Sequence, residues 1–318
     1  MKTPRKIQLA NIPTPVHEIT FQGKKVLIKR DDLTGMELSG NKVRKLEYIL
    51  IQAIKEKADI IFTCGGEQSN HARATAIACA KLGLKSKLFL WGAERKNPEG
   101  NLFFDKLLGS DIVYLNKNEY TRVNEIMFDE RKKLLKKGIN AFVIPEGGST
   151  ALGIWGYISF IDELATQVEI NKLDGILTAA GSGGTAAGLL LGAALLNLKL
   201  KIYAVNVLYS QLEIRKKILT LAEAANLDFK LHAEINPENL IVVDGFSTEG
   251  YKNISANKLQ LIKKFFTSTG ILLDPAYTGK AFAAYHKLFL NNKKNRVIFL
   301  HSGGLFGIFG KRKKYLSA

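Results

Sequence analysis

Two lysines three residues apart, Lys42 and Lys45 in the stretch SGNKVRKLE (39–47), follow a Gly-Asn pair and open an amphipathic run. The helix this pattern predicts carries Leu46, Ile49, Leu50, Ala53 and Ile54 on one stripe, and both lysines lie on or beside it. A lysine on a core-facing stripe must be paired with an anion or used chemically, because an unpaired buried ammonium is costly. The start of a helix is also a poor place for a cation, since its partial positive charge repels one. That repulsion, with the charge of the neighbouring lysine, favours the neutral amine, the form that attacks a carbonyl. The pair is therefore either a reactive amine beside an anion-binding partner, or an anion site built from both side chains.

Glycine-rich turns follow predicted strands at CGGEQSNHAR (64–73), PEGGSTALG (145–153) and AAGSGGTAAGL (179–189). In the last of these, Gly181, Ser182, Gly183, Gly184 and Thr185 lead into a helix of small residues. Backbone N–H groups at such a helix start attract anions, and glycines let a phosphate come close. No nucleotide fingerprint is present: the turn lacks G-x-x-x-x-G-K-[ST], and KLKIYAVNV stands where a dinucleotide site has an acidic residue. A phosphate outside a nucleotide remains as the ligand reading, and a tight strand-to-helix connection is the plain structural one.

The elements that would position these residues alternate. Strands are predicted at 25–30, 60–64, 86–91, 111–115, 141–145, 174–180, 201–207 and 296–301. Helices are predicted from about Asn41, Ser69, Gly184 and Ser210, and near 101–108, 119–137 and 255–269. Strands separated by helices of this length argue for parallel sheets covered on both faces.

Composition narrows the function classes. The charge of +17 invites a nucleic-acid reading, but the basic residues are scattered over helix faces (ERKKLLKKG, EIRKKIL, LIKKFF) with no accompanying recognition motif. The C-terminal GKRKKYL reads as a solvated tail. Cys64 and Cys79 lie in apolar stretches without CxxC spacing and read as buried packing residues. The histidines show no metal-ligand spacing: His71 reads as a surface or cap residue at a helix start or as a substrate contact, and His301 as a satisfied buried imidazole, so no metal is expected. No run approaches the length of a spanning helix, and the N-terminal stretch lacks a signal-peptide core, so a cytoplasmic protein without membrane contact is expected.

In chain order, GNKVRKLEY (40–48), GGEQSNH (65–71), GSGGTAAG (181–188), LLDPAYTGKA (272–281) and HSGG (301–304) resemble the pyridoxal-phosphate (PLP) enzymes of the tryptophan synthase β-like fold, fold type II. Within these, the chain resembles the branch of D-cysteine desulfhydrase and 1-aminocyclopropane-1-carboxylate (ACC) deaminase. The resemblance implies an α/β protein of two domains, each an open twisted, mostly parallel sheet covered by helices. The large cofactor-binding domain would comprise 1–44 and 154–318, and the small domain 45–153. By the same resemblance Lys42 forms the Schiff base with the cofactor and Lys45 neutralises its phosphate, which Ser182, Gly183, Gly184 and Thr185 bind. Asn70 hydrogen-bonds the phenolic oxygen, Gln68, Ser69 and Asn70 receive the substrate, and Ser302 faces the pyridine nitrogen. Ser69, Tyr251 and Tyr277 join Lys42 as catalytic residues, with Tyr277 against the ring. A homodimer acting on a small amino acid, without nucleic acid, is implied.

Two reactions compete. D-Cysteine has a Cα hydrogen for Lys42 to remove, after which thiolate leaves and pyruvate, hydrogen sulfide and ammonia result. ACC has no such hydrogen, and opening its ring to 2-oxobutyrate and ammonia demands a stronger electron sink. ACC deaminases carry Glu after the DP-x-Y tyrosine and Leu before the last Gly-Gly. Thr278 and Ser302 stand here, and hydroxyls supply no carboxylate charge near the nitrogen, which favours elimination from D-cysteine. Glu67 and Glu146 read as solvated loop charges or as modifiers of amino-acid specificity. A reading of another class is a basic nucleic-acid-binding protein on an inactive enzyme fold, which predicts salt-sensitive binding and no cofactor absorbance.

Overall fold

The structure, a computed structural model, describes residues 3–250, 253–292, 294 and 296–316. Its strands are β1 (Val16–Phe21), β2 (Lys24–Lys29), β3 (Ile60–Gly66), β4 (Lys85–Trp91), β5 (Asp111–Leu115), β6 (Ala141–Ile144), β7 (Gly175–Ala180), β8 (Lys201–Asn206), β9 (Leu240–Val243) and β10 (Val297–Leu300). They form a six-stranded sheet ordered β1-β2-β10-β7-β8-β9 and a four-stranded sheet ordered β5-β4-β3-β6. All pairings are parallel except the β1–β2 hairpin at one edge. The helices are α1 (Lys42–Lys55), α2 (Asn70–Lys81), α3 (Asn101–Leu107), α4 (Lys117–Tyr120), α5 (Val123–Leu135), α6 (Trp155–Ala165), α7 (Gly184–Leu195), α8 (Gln211–Asp228), α9 (Ala256–Thr269) and α10 (Thr278–Leu288). Short turns of helix follow after residue 305. Helix α1 runs unbroken through residues 44 and 45, so the boundary expected there falls within its first turn.

β1, β9, α6 and α10 escape the sequence pattern, and for α6 the reason is burial. Helix α6 (WGYISFIDELA) is buried on most of its surface, with Trp155, Tyr157, Ile158, Phe160, Ile161 and Leu164 all inside, so it shows no apolar–polar period. Helix α7 is likewise apolar throughout, and it packs on α6 through bare backbone. A Cβ added to Gly188 would lie 2.5 Å from the Ile154 carbonyl oxygen and 2.6 Å from Tyr157 Cβ.

Helices α6, α7 and α8 bury one face of the larger sheet against Ile176, Ile202, Leu240 and Ile298. Helices α9 and α10 bury the other against Ile28, Leu177, Val205 and Phe299. On the smaller sheet, α1 and α2 pack against Ile61 and Ile144, while α5 packs on the opposite face against Phe62 and Phe89. A buried ion network ties α1 to α6: Arg44 donates to Asp31 at 2.8 and 2.9 Å and to Glu163 at 2.8 and 2.9 Å. Lys29 reaches Glu163 at 2.5 Å, and the Tyr157 hydroxyl donates to Asp31 at 2.6 Å. No helix among the described residues is long and apolar enough to cross a membrane.

Candidate active site

The carboxyl ends of β3, β6, β7 and β10 open into one cavity of about 350 Å³, the usual place for a ligand in open parallel sheets. Lys42, Lys45, Ser69, Asn70, Ser182, Gly183, Gly184, Thr185, Tyr277 and Ser302 all line it.

Asn41 locks the start of α1 into this cavity. Its backbone N–H donates to the Ser302 carbonyl at 3.0 Å, and its side-chain amide donates to Thr185 Oγ1 at 2.9 Å. Its Oδ1 accepts from Lys42 Nζ at 2.8 Å, and that amine lies 6.0 Å from the centre of the Tyr277 ring. Burial, with the Arg73 charge adding, pulls the Lys42 amine down to about 8, against the opposing pull of Asp274 and Glu146. The expected lowering is thus present, but burial is its largest cause and Lys45 is not among the causes. Lys45 is itself held well below the ordinary lysine value by burial and by the charge of Lys42.

A second corner is lined by donors. Lys45 Nζ donates to the Gly147 carbonyl at 3.0 Å and to Ser149 Oγ at 3.3 Å, and Ser149 Oγ meets Ser182 Oγ at 2.8 Å. Gly183, at φ 87°, turns the chain into α7, whose first amides have no helical partner. A Cβ on Gly184 would sit 2.5 Å from Ser149 Oγ and 2.6 Å from Lys45 Nζ, so only bare backbone there lets both side chains close on the helix start. Hydroxyls, an amine and a helix N-terminus around one hollow suit a phosphate, which only accepts. Ser149 lies in the PEGGS turn and is reached only through the fold.

Ser69 caps α2, its hydroxyl accepting from the Ala72 N–H at 3.1 Å. Asn70 Oδ1 accepts from Asn101 Nδ2 at 2.9 Å. His71 is buried, bonded to Thr63 Oγ1 at 2.9 Å, and held well below its ordinary value by burial, then by Lys42 and Lys45, so it is neutral. Gln68 is not brought to the cavity: its amide donates to the Glu99 carbonyl and accepts from the Asn101 N–H, at 2.9 and 3.0 Å.

The DPAYT turn is organised by Asp274. One carboxylate oxygen accepts from the Ala276 and Tyr277 amides at 2.9 and 3.0 Å; the other takes the Thr278 amide and hydroxyl, each at 2.7 Å. Thr278 Oγ1 therefore faces Asp274 and does not line the cavity, whereas Ser302 does. Tyr277 lies over the glycine turn, its ring 3.0 Å from where a Gly181 Cβ would be. Tyr251 lies outside the described residues.

Two acidic residues depart from the solvated reading. Glu67 is buried and paired through both oxygens with Arg95, at 2.8 and 2.9 Å. Glu146 lines the cavity, accepts from the Tyr120 hydroxyl at 3.0 Å, and has its carboxyl raised by burial, with Tyr120, Lys217 and Lys42 opposing. Trp91, Lys117, Tyr120, Thr121 and Tyr209 also line the wall; they come from the end of β4, from α4 and its C-cap, and from the loop after β8, which share no motif. The thiols of Cys64 and Cys79 are buried and pushed up to about 12 by burial, which leaves them as packing groups. His301 is fully buried and bonded to the Leu272 carbonyl at 2.9 Å, as a satisfied core imidazole. Among the described residues no cluster of His, Cys, Asp or Glu could hold a metal ion.

Comparison with known proteins agrees with this geometry. The profile of the family described as pyridoxal-phosphate dependent enzyme matches residues 7–303. A Thermotoga maritima protein provisionally named ACC deaminase is 42% identical, over 97% of this chain and 99% of its own. The mitochondrial bifunctional D-cysteine desulfhydrase/ACC deaminase of Arabidopsis thaliana is 37% identical, over 95% of this chain and 79% of its own. The crystal structure of an ACC deaminase homologue superposes with a TM-score of 0.90 at 35% identity, covering 99% of this chain and 96% of that one.

Proposed function

The chain belongs to the pyridoxal-phosphate-dependent enzymes, in the fold type II branch of D-cysteine desulfhydrase and ACC deaminase, and from that premise we propose that it eliminates the thiol of D-cysteine. Water enters, and pyruvate, ammonia and hydrogen sulfide leave. The single observation that carries the choice is the Ser302 hydroxyl at the β10 end of the cavity, with Thr278 turned onto Asp274.

The cavity suits the cofactor at both ends. The corner of the cavity where Lys45, Ser149 and Ser182 close on the bare backbone of Gly184 and the α7 amides would hold the phosphate, while the Lys42 amine would meet the aldehyde. Bound there, the cofactor supplies an electron sink for charge developing at the substrate Cα. Lys42 Nζ takes the Cα proton. With its value at about 8, about a tenth of this amine is neutral at pH 7, against about one in three thousand for an ordinary lysine. Ser69 and the first amides of α2 hold the substrate carboxylate. Asn70 would donate to the cofactor's phenolic oxygen, and Tyr277, whose ring centre lies 6.0 Å from Lys42 Nζ, would pack against the cofactor ring. Tyr251 is retained as a second catalytic tyrosine, and Gln68 supports the substrate site from behind through Asn101.

Hydroxyls near a ring nitrogen donate or accept a hydrogen bond but add no negative charge. Ser302 would therefore leave the ring nitrogen without a carboxylate charge beside it, which suits a substrate with an acidic Cα–H and a good leaving group. ACC deamination is the second reading, favoured by the relatives' names. Incubation with each compound and assay of the keto acid decides: pyruvate from D-cysteine at a higher kcat/KM than 2-oxobutyrate from ACC is expected, and the reverse order overturns the choice. Borohydride should leave a reduced adduct on Lys42, absent in Lys42→Ala. The reading extends to a cytoplasmic homodimer, checked by light scattering, and to a small domain of 45–153 and a large one of 1–44 with 154–318, checked by limited proteolysis.

A further inference from the structure

An asparagine side chain can sit in its site in two orientations of nearly equal shape, with oxygen and nitrogen exchanged. Which one Asn70 adopts decides whether it offers the cavity a donor or an acceptor. Three α2 residues on from Asn70, Arg73 is buried at 1% exposure and surrounded by acceptors. Its guanidinium donates to the Glu37 carbonyl, to the Ser39 carbonyl at 2.9 Å and through Nε to Asn101 Oδ1 at 2.9 Å, and the Phe306 ring lies 4.9 Å from its centre. A guanidinium has no acceptor. The oxygen of Asn101, itself fully buried, must therefore face Arg73, and its nitrogen must face away. That nitrogen donates to two oxygens, Gln68 O at 2.9 Å and Asn70 Oδ1 at 2.9 Å. Turning Asn70 over would set its NH2 against the NH2 of Asn101.

We infer that Arg73, acting through Asn101, fixes the polarity of the Asn70 amide so that its NH2 faces the cavity, making Arg73 and Asn101 positioning residues for cofactor binding. The inference rests on the assignment of Asn70 to the cofactor's phenolic oxygen. A donor held in place there favours the ionised oxygen, strengthening binding and lowering the pH at which the bound chromophore changes colour. The same guanidinium holds the 37–39 loop that leads into Lys42, so one buried cation sets both the lysine's approach and the amide's direction.

The test begins with the wild-type protein labelled with 15N-asparagine. Adding pyridoxal phosphate should shift one side-chain NH2 signal that is missing in Asn70→Ala. The near-isosteric Asn101→Asp replaces the donors facing Asn70 with acceptors and should turn that amide over. Pyridoxal-phosphate affinity, read by fluorescence, is then expected to fall about tenfold, with the spectral transition of the bound cofactor moved to higher pH and the melting temperature little changed. Asn101→Ala frees the amide and should move both readings the same way by less. Wild-type affinity and spectrum in both Asn101 variants, with Asn70→Ala impaired, overturns the relay alone. An Asn70→Ala protein that binds cofactor like wild type overturns the Asn70 assignment and the relay together. If neither Asn101 variant folds, the wild-type NH2 signal decides: no shift on cofactor addition overturns the inference.

Discussion

Lys42 combines two properties that an exposed lysine cannot: it is held in one place, by Asn41 Oδ1 at 2.8 Å, and its amine is pulled down to about 8. The second follows from the first, since the contacts that hold it also remove water, and desolvation disfavours the charged form. Cofactor uptake by the cofactor-free protein should report this directly. A rate that needs the neutral amine rises about tenfold per pH unit below the amine's value and levels above it. The rise is expected to end near pH 8; one that continues toward pH 10 would show an ordinary lysine. Lys45 differs in having no role for a neutral form. Its value is lowered by burial and by Lys42, and a phosphate dianion bound beside it would be expected to raise it again.

At the scale of elements, the site is a set of strand ends and helix starts, and its shape depends on where backbone is left bare. Gly184 opens α7 beside Ser149 Oγ and Lys45 Nζ, and a methyl there would stand 2.5 and 2.6 Å from them. Gly184→Ala is expected to weaken pyridoxal-phosphate binding at least tenfold while leaving the urea midpoint nearly unchanged, because the neighbours displaced are side-chain tips at a cavity wall and Ala suits a helix start. Equilibrium titration of the cofactor checks the first part and urea unfolding the second. The DPAYT turn works differently. Asp274 collects the amides of Ala276, Tyr277 and Thr278 together with the Thr278 hydroxyl, so Tyr277 enters the cavity from a turn with no slack.

For the whole molecule, the network beneath the site joins β2, α1 and α6 through Glu163, which faces Lys29 and Arg44 together. Glu163→Gln leaves two buried cations with one fewer anion, and a loss of about 3–5 kcal/mol is expected in urea unfolding. Burial would raise the Glu163 carboxyl, but Arg44 and then Lys29 outweigh it and hold the group below the ordinary glutamate value. Its contribution is therefore fully present above the unfolded value of about 4.3 and fades as pH falls through the folded one. The wild-type and variant curves should run parallel from pH 5 to 8 and converge below about pH 4. Parallel curves throughout would mean that the carboxylate carries no linked proton.

Much of the site was legible because the chemistry sits in short motifs, each bound to a strand end or a helix start. GNKVRKLE, SNH and GSGGT need only local chain to be recognised, and the alternation of strands and helices required that they meet on one side of parallel sheets. The orientation of single side chains was not legible. Thr278 and Ser302 are both hydroxyls near the expected nitrogen, and only the position of Asp274 decides that one of them turns away. Glu146 and Glu67 sit in similar glycine turns, yet one meets Tyr120 in the cavity and the other meets Arg95 outside it. Helix α6 left little trace in the periodicity because most of its surface is covered. Local pattern determines which groups a segment offers, since propensity and capping act within a few residues; partners tens of residues away, in a dry interior where an unpaired polar atom is costly, decide which way each group points.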